Sequence, residues 1–149
     1  GFKIAQYCIW VKNSMVMGRQ DYQWQHEPCL YGWKPGAGHF WNSDRKQTTV
    51  WNFDKPQRNA IHPTMKPIAL IAYPICNSST SGQIVADFFS GSTLMACQQT
   101  DRICRAMEID PRYVSGTVHR YRAMFPEQQV RLIRGGELLT VEDTFKIIS

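Results

Sequence analysis

Apolar positions along this chain come in short runs separated by Gly, Pro, Asn and Asp. Ile4 to Lys12 (IAQYCIWVK) is rich in strand formers and is followed by Asn13-Ser14, which predicts a buried strand. Pro28 to Lys34 (PCLYGWK) predicts a second short strand. Residues 35 to 60 keep no sustained period and read as loop, with one short strand at Thr48 to Asn52. Pro67 suits the first turn of a helix over IALIAYPIC, and Pro74 would kink or shorten it. From Gln83 the punctuation becomes regular. Gln83 to Phe89 (QIVADFF) predicts a buried strand, Ser90-Gly91-Ser92 a tight turn, Thr93 to Thr100 a short helix, and Ile103 to Ile109 a strand. Asp110 then caps a helix opened by Pro111, whose apolar residues Tyr113, Val114, Val118, Tyr121 and Phe125 recur at helical spacing. A further strand is expected in VRLIRG, ahead of an acidic, weakly periodic end.

Strand, turn, helix, strand, helix from Gln83 to Phe125 is a β-α-β-α unit, which implies a parallel sheet with crossover helices. In such sheets ligands sit beyond the carboxyl ends of the strands. Here those ends are Asp87 to Gly91 and Glu108 to Asp110. Small residues let a ligand approach the backbone of the turn, and a carboxylate at Glu108 can accept hydrogen bonds from two ribose hydroxyls. Asp87, Glu108 and Asp110 at this spacing favour a nucleoside-type ligand. The alternative is two strand-end acids and a helix cap, and for Asp110 alone the cap is the better reading. The turn matches neither the dinucleotide fingerprint G-x-G-x-x-G nor the phosphate loop G-x-x-x-x-G-K-[ST].

Charge and cysteine usage narrow the class. The chain has 149 residues, enough for one domain, with a net charge of +5. From Gly1 to Pro67 there are nine Lys/Arg against four Asp/Glu, and the rest of the chain is balanced. All five tryptophans also fall in the first segment. Basic charge interleaved with aromatics is compatible with a nucleic-acid face, although solvated surface and aromatic core explain it equally well. Five cysteines, none at C-x-x-C spacing, argue against a disulfide framework or a zinc site. They read as small core residues in a reducing cytosol. No apolar run approaches the roughly 20 residues that span a bilayer. The chain opens on Gly1 in a strand-like run, which reads as a piece cut from a longer protein.

Three strings then carry a resemblance. ADFFSGSTLMACQQTDRICRAMEIDPRYVSGTVHRY resembles motif I and the strand after it in S-adenosylmethionine-dependent DNA amino-methyltransferases. HPTMKP, His62 to Pro67, resembles that family's motif X. YCIWVKNSMVMGRQDYQWQHEPCLYGWK resembles its W-x-K and H-E-P-x-x-Y-G-W-K segments in phage and bacterial adenine-specific enzymes. The order is that of the beta type. The resemblance implies an α/β, partial Rossmann-like methyltransferase fold, a mostly parallel sheet with flanking helices, whose N-terminal part is missing. It divides the chain into strands of the DNA side (1–35), a short target-recognition segment (36–60), the donor-binding half (61–125) and a tail (126–149).

By the same resemblance His62, Thr64 and Lys66 help hold S-adenosyl-L-methionine, with Lys66 near its carboxylate. Asp87, Phe89, Gly91 and Ser92 line the methionine side, Glu108 binds the ribose and Asp110 lies by the adenine. Arg19, Tyr22 and Trp24 lie near the DNA and the flipped base. Arg45, Lys46, Lys55 and Arg58 contact phosphates, and Asn42, Gln47 and Gln57 reach base edges. Partners are duplex DNA, the N-terminal part of the same enzyme and, as an alternative, a second copy in a homodimer. The setting is a bacterial or phage-encoded restriction-modification enzyme in the cytoplasm.

Two departures qualify this. The run from Asp87 to Thr93 is two residues shorter than the family's, and no D-P-P-Y, N-P-P-Y or S-P-P-Y tetrad occurs anywhere. In the family that tetrad orients the extruded base for methyl transfer. The expectation is therefore part of an adenine-N6 or cytosine-N4 methyltransferase, leaning to adenine. A catalytically dead DNA-binding remnant and a methyltransferase of RNA or protein are the competing readings. A strand edge left open beside Gln83 to Phe89 is expected as well.

Overall fold

The structure, a computed structural model, describes residues 1–56 and 65–140. Two long strands open it, β1 (Lys3–Val16) and β2 (Trp24–Trp33). They pair antiparallel from Lys3↔Trp33 to Val16↔Trp24, with irregular register between Ile4 and Gln6 and between Val11 and Val16. Only one face of β1 is covered: Cys8, Trp10 and Lys12 are buried, whereas Tyr7 on the other face is exposed. The sequence reading of a strand buried throughout is thus corrected to the alternation of a half-covered sheet. Pro28 is accommodated because β2 is an edge strand. Gly32 is needed where the register slips, since a Cβ there would lie 2.3 Å from the Lys3 carbonyl oxygen. A short strand, β3 (Val50–Asn52), pairs parallel to the other edge of β1.

The helix α1 (Ile68–Ser78) follows, with Pro67 as its N-cap and Pro74 inside it. Strands β4 (Ile84–Asp87) and β5 (Ile103–Ala106) pair parallel across the helix α2 (Thr93–Gln99). The helix α3 (Pro111–Met124) starts at Asp110, whose side chain accepts the Arg112 N–H, as its sequence predicts. The tail forms a hairpin of β6 (Leu132–Arg134) and β7 (Glu137–Leu139). Its turn is Gly135-Gly136, both at positive φ, the geometry a two-residue hairpin loop demands. The sequence reading found β6 and missed β7.

Among the described residues the strands form three small sheets, not one continuous one. The core lies between α1, α2 and the β4–β5 pair: Ile75, Ala96 and Cys97, with Ile68, Ile71, Val85 and Cys104 against them. All five cysteines are free, and Cys8 and Cys97 are buried. Both β4 and β5 end earlier than predicted, because Phe88, Phe89, Met107 and Ile109 are exposed residues beyond the ladder. Among the described residues β4 pairs with β5 alone, so its second edge is open.

Contacts at the two ends of α1 set its direction. Ahead of α1, Lys66 reaches Glu27 and the Trp10 ring. At the far end of α1, the Cys76 and Asn77 carbonyls meet Asn42. That end of α1, with Asn77 and Ser78, shares a cavity lining with Gln6 and Cys8 of β1, so α1 runs against β1. The turn after β4 thus stands beside Lys66, with the Ser92 hydroxyl donating to the Lys66 carbonyl at 2.6 Å, and Lys66 in turn reaches the middle of the β1–β2 pair. No helix of the described residues is long and apolar enough to cross a membrane.

Candidate functional site

The turn between β4 and α2 is locked by Asp87. Its Oδ1 accepts the Phe89 N–H at 2.9 Å and its Oδ2 the Thr93 hydroxyl at 2.5 Å. Past the last paired residues, the Met107 N–H donates to Asp87 O and the Ser90 N–H to Met107 O, each at 2.8 Å. Asp87 thus has both carboxylate oxygens engaged inside the turn. Gly91 is the open part of the bend: its φ is not in the positive range, and a Cβ there would meet no atom within 4 Å. Nothing among the described residues requires glycine there. Phe89 is 87% exposed and points away from the core.

Glu108 lies just past β5. Its Oε1 accepts the Asp110 N–H at 2.9 Å, and Oε2 makes no hydrogen bond or ion pair among the described residues. Asp110 is differently occupied, since Oδ1 takes the Arg112 N–H and both oxygens take its guanidinium, the closer contact at 2.7 Å. Bonding to Arg112 holds its carboxyl below the usual carboxylate range. The structure thus makes Asp110 a helix cap and charge partner. A cavity of about 490 Å³ runs along the free side of β5 between α2, α3 and residues 129–132, with Ser90, Met107 and Glu108 at one end. Among the described donor-site residues expected from sequence, only Glu108 lines it.

Lys66 is engaged by Glu27. Its ammonium donates to Glu27 Oε2, and Lys12 Nζ meets Glu27 Oε1 at 3.0 Å. Both ammoniums lie over the buried Trp10 ring, at 5.0 and 5.5 Å from its centroid. Burial pushes the Glu27 carboxyl up, but the two ammoniums more than offset this and hold it below its ordinary value. The indole N–H of Trp10 donates to Phe53 O at 2.7 Å. None of Trp10, Lys12, Glu27 and Arg120, whose guanidinium reaches the Ser92 hydroxyl at 3.2 Å, was singled out by sequence reading. The W-x-K and H-E-P strings were the available signal for the first three. His62, Thr64, Arg58 and Gln57 lie outside the described residues.

The residues expected to meet DNA divide between the two ends of the β1–β3 sheet. Arg19 and Tyr22 lie in the β1–β2 connection, at the carboxyl end of β1, and Tyr22 is 92% exposed. Lys55 is at the same end, its N–H on Asn13 Oδ1 at 3.0 Å. Arg45 and Lys46 lie at the opposite end, where Arg45 lines an aromatic cavity of about 360 Å³ with Tyr31, His39, Trp41, Trp51 and Tyr73. Asn42 and Gln47 have internal partners. The Asn42 amide donates to the Cys76 and Ser79 carbonyls at 3.2 Å each, satisfying groups that a helix end leaves free. Gln47 accepts the Tyr73 hydroxyl at 2.7 Å and donates to Asp44 at 2.8 Å.

The model of a DNA methylase family, covering N6 and N4 methylases, matches residues 1–119. The type II methyltransferase M.Cfr9I of Citrobacter freundii is 36% identical over 78 residues, which are 51% of this chain and 26% of that protein. The crystal structure of M1.HpyAVI in complex with SAM superposes with a TM-score of 0.67 at 25% identity, over 80% of this chain and 62% of that one. TTHA0409 of Thermus thermophilus, described as a DNA modification methylase and complexed with S-adenosyl-L-methionine, gives a TM-score of 0.70 at 21% identity. That match covers 92% of this chain and 60% of its counterpart. The cytosine-N4-specific PvuII DNA methyltransferase gives 0.62 at 16% identity over 99% of this chain and 56% of that one. The chain therefore has the Rossmann-like methyltransferase fold and spans about a quarter of the curated relative and about three fifths of the solved ones.

Proposed function

The chain belongs to the DNA methylase family, and from that premise we propose that it forms the S-adenosyl-L-methionine-binding half of a DNA amino-methyltransferase. The observation that carries the reading is the pairing of an unengaged Glu108 carboxylate oxygen with an open turn at Gly91, at the carboxyl ends of two parallel strands. An acid at the end of the second strand suits two ribose hydroxyls, and a side-chain-free bend suits close approach by the donor's amino-acid end. Asp87 serves by fixing the turn. Ser92 and Lys66 are joined through the Ser92 hydroxyl, and by resemblance His62 and Thr64 help hold the donor. The donor, when bound, supplies an activated methyl group on a sulfonium centre.

The substrate is the exocyclic amine of adenine or cytosine in duplex DNA. Arg19, Tyr22 and Lys55 meet the DNA, a role the family resemblance gives them and their place at the carboxyl end of β1 allows. Trp24, the first residue of β2, borders that loop. The chain holds no D-P-P-Y-type tetrad, so orienting the extruded base falls to residues supplied by a further part of the enzyme. That part adds strands along the open edge of β4.

Isothermal titration of S-adenosylmethionine into the purified chain tests this, with Glu108→Ala as the control. Micromolar binding that disappears in the variant is expected. A folded chain that takes up no donor would overturn the reading and favour a DNA-binding remnant whose shortened turn has lost the ligand.

A further inference from the structure

Glu27 lies in the H-E-P string, to which neither the donor contacts nor the DNA contacts above give a role. Its carboxylate bridges two lysines from different parts of the chain, Lys12 on β1 and Lys66 ahead of α1. The Lys12 side chain is only 5% exposed, so Glu27 neutralises a charge that water barely reaches. Lys66 leads elsewhere. Its carbonyl accepts the hydroxyl of the buried Ser92 at 2.6 Å. Pro67 follows Lys66 and restricts the backbone that aims this carbonyl.

Ser92 is the N-cap residue of α2, yet its side chain makes no cap hydrogen bond. A serine at that position ordinarily caps its own helix. Here its hydroxyl goes to Lys66 instead, so the last residue of the donor turn is fixed from outside its own helix. We propose that Glu27 is a positioning residue for the donor turn, gripping Lys66 so that the Lys66 carbonyl holds Ser92 in place. This rests on the donor-site reading above, and it departs from a Lys66 that grips the donor itself.

The experiment compares the full wild-type chain with Glu27→Gln, Lys66→Met and the double variant. Two readouts are taken: hydrogen exchange without donor, and affinity for S-adenosylmethionine. Lys66→Met cuts the tether while leaving the Glu27–Lys12 pair intact, which keeps the test open if Glu27→Gln fails to fold. Faster exchange is expected across Ser90 to Leu94 in both single variants, with the β6–β7 hairpin unchanged. Donor affinity is expected to fall about three- to fivefold in each, the range for a partly exposed ion pair. The double variant should bind no more weakly than Lys66→Met, because both changes break one path. Unchanged exchange in Lys66→Met would overturn the tether. So would a Glu27→Gln chain that binds donor as tightly as wild type or more tightly, the outcome for a lysine released to grip the donor. A folded wild-type chain without donor binding would sink the donor-site reading instead, and the exchange comparison would still decide whether the tether exists.

Discussion

Replacing Gly91 by alanine separates the needs of the fold from the needs of a ligand. The backbone at Gly91 is not in the left-handed region, and the new Cβ would find no atom within 4 Å. Alanine therefore fits without strain. By restricting the unfolded chain it should stabilise the fold by about 0.4–1 kcal/mol. That corresponds to a rise in melting temperature of roughly 1–4 °C for a chain of this size. Donor affinity should move the other way. If the donor lies against the bare backbone of the turn, the methyl group takes that space. The overpacking cost is about 1–3 kcal/mol, or roughly five- to a hundredfold in Kd. Thermal unfolding and calorimetric titration on one preparation read both numbers. Opposite signs are the diagnostic result, since a variant that simply folds badly would lose stability and affinity together. A more stable variant that binds donor as well as wild type would refute the idea that the donor approaches this turn. A less stable variant would refute the account of the turn itself.

Asn42→Ala removes two hydrogen bonds to the end of α1; urea unfolding should register a loss of about 1 kcal/mol, while duplex-DNA affinity stays unchanged. Glu27 is held below its ordinary pKa in the fold, so its contribution to stability is complete above the ordinary carboxylate range. It is lost as pH falls through the lowered value. The urea midpoint should therefore drop over that acid window in wild type and drop less steeply in Glu27→Gln. A double Arg19→Ala, Lys55→Ala variant should bind duplex DNA more weakly and with a shallower salt dependence. The matched Arg45→Ala, Lys46→Ala variant should bind as wild type, and filter binding across a salt series would expose the reverse.

Much of the β4–α2–β5–α3 unit was legible in sequence because its cues are local. A strand-forming run meets Asp87 and a small-residue turn, and Asp110-Pro111 opens a helix that buries Val118 and Tyr121 as its period requires. Strand ends were less legible. Phe88, Phe89, Met107 and Ile109 look like continuing strand, but they are exposed side chains past the ladder, and Ile109 is 98% exposed. Local apolarity does not distinguish a residue buried in a sheet from one on an open surface. The hairpin partner β7 was signalled by Gly135-Gly136 and passed over in an acidic, weakly patterned tail.

The roles of Glu27, Asn42 and Gln47 were out of reach for another reason. Each is set by a partner far along the chain: Glu27 by Lys66, Asn42 by the carbonyls ending α1, and Gln47 by Tyr73. The same long-range folding explains why charge counted along the chain does not by itself locate a free basic face. Nine basic residues precede Ile68, but Lys12 and Lys66 are bound to Glu27. Arg45 and Lys46 lie at the end of the sheet away from the donor turn, beside the aromatic cavity. Arg19 and Lys55 lie instead at the carboxyl end of β1. The paired charge-removal variants above therefore decide which group carries the DNA contacts, Arg19 with Lys55 or Arg45 with Lys46.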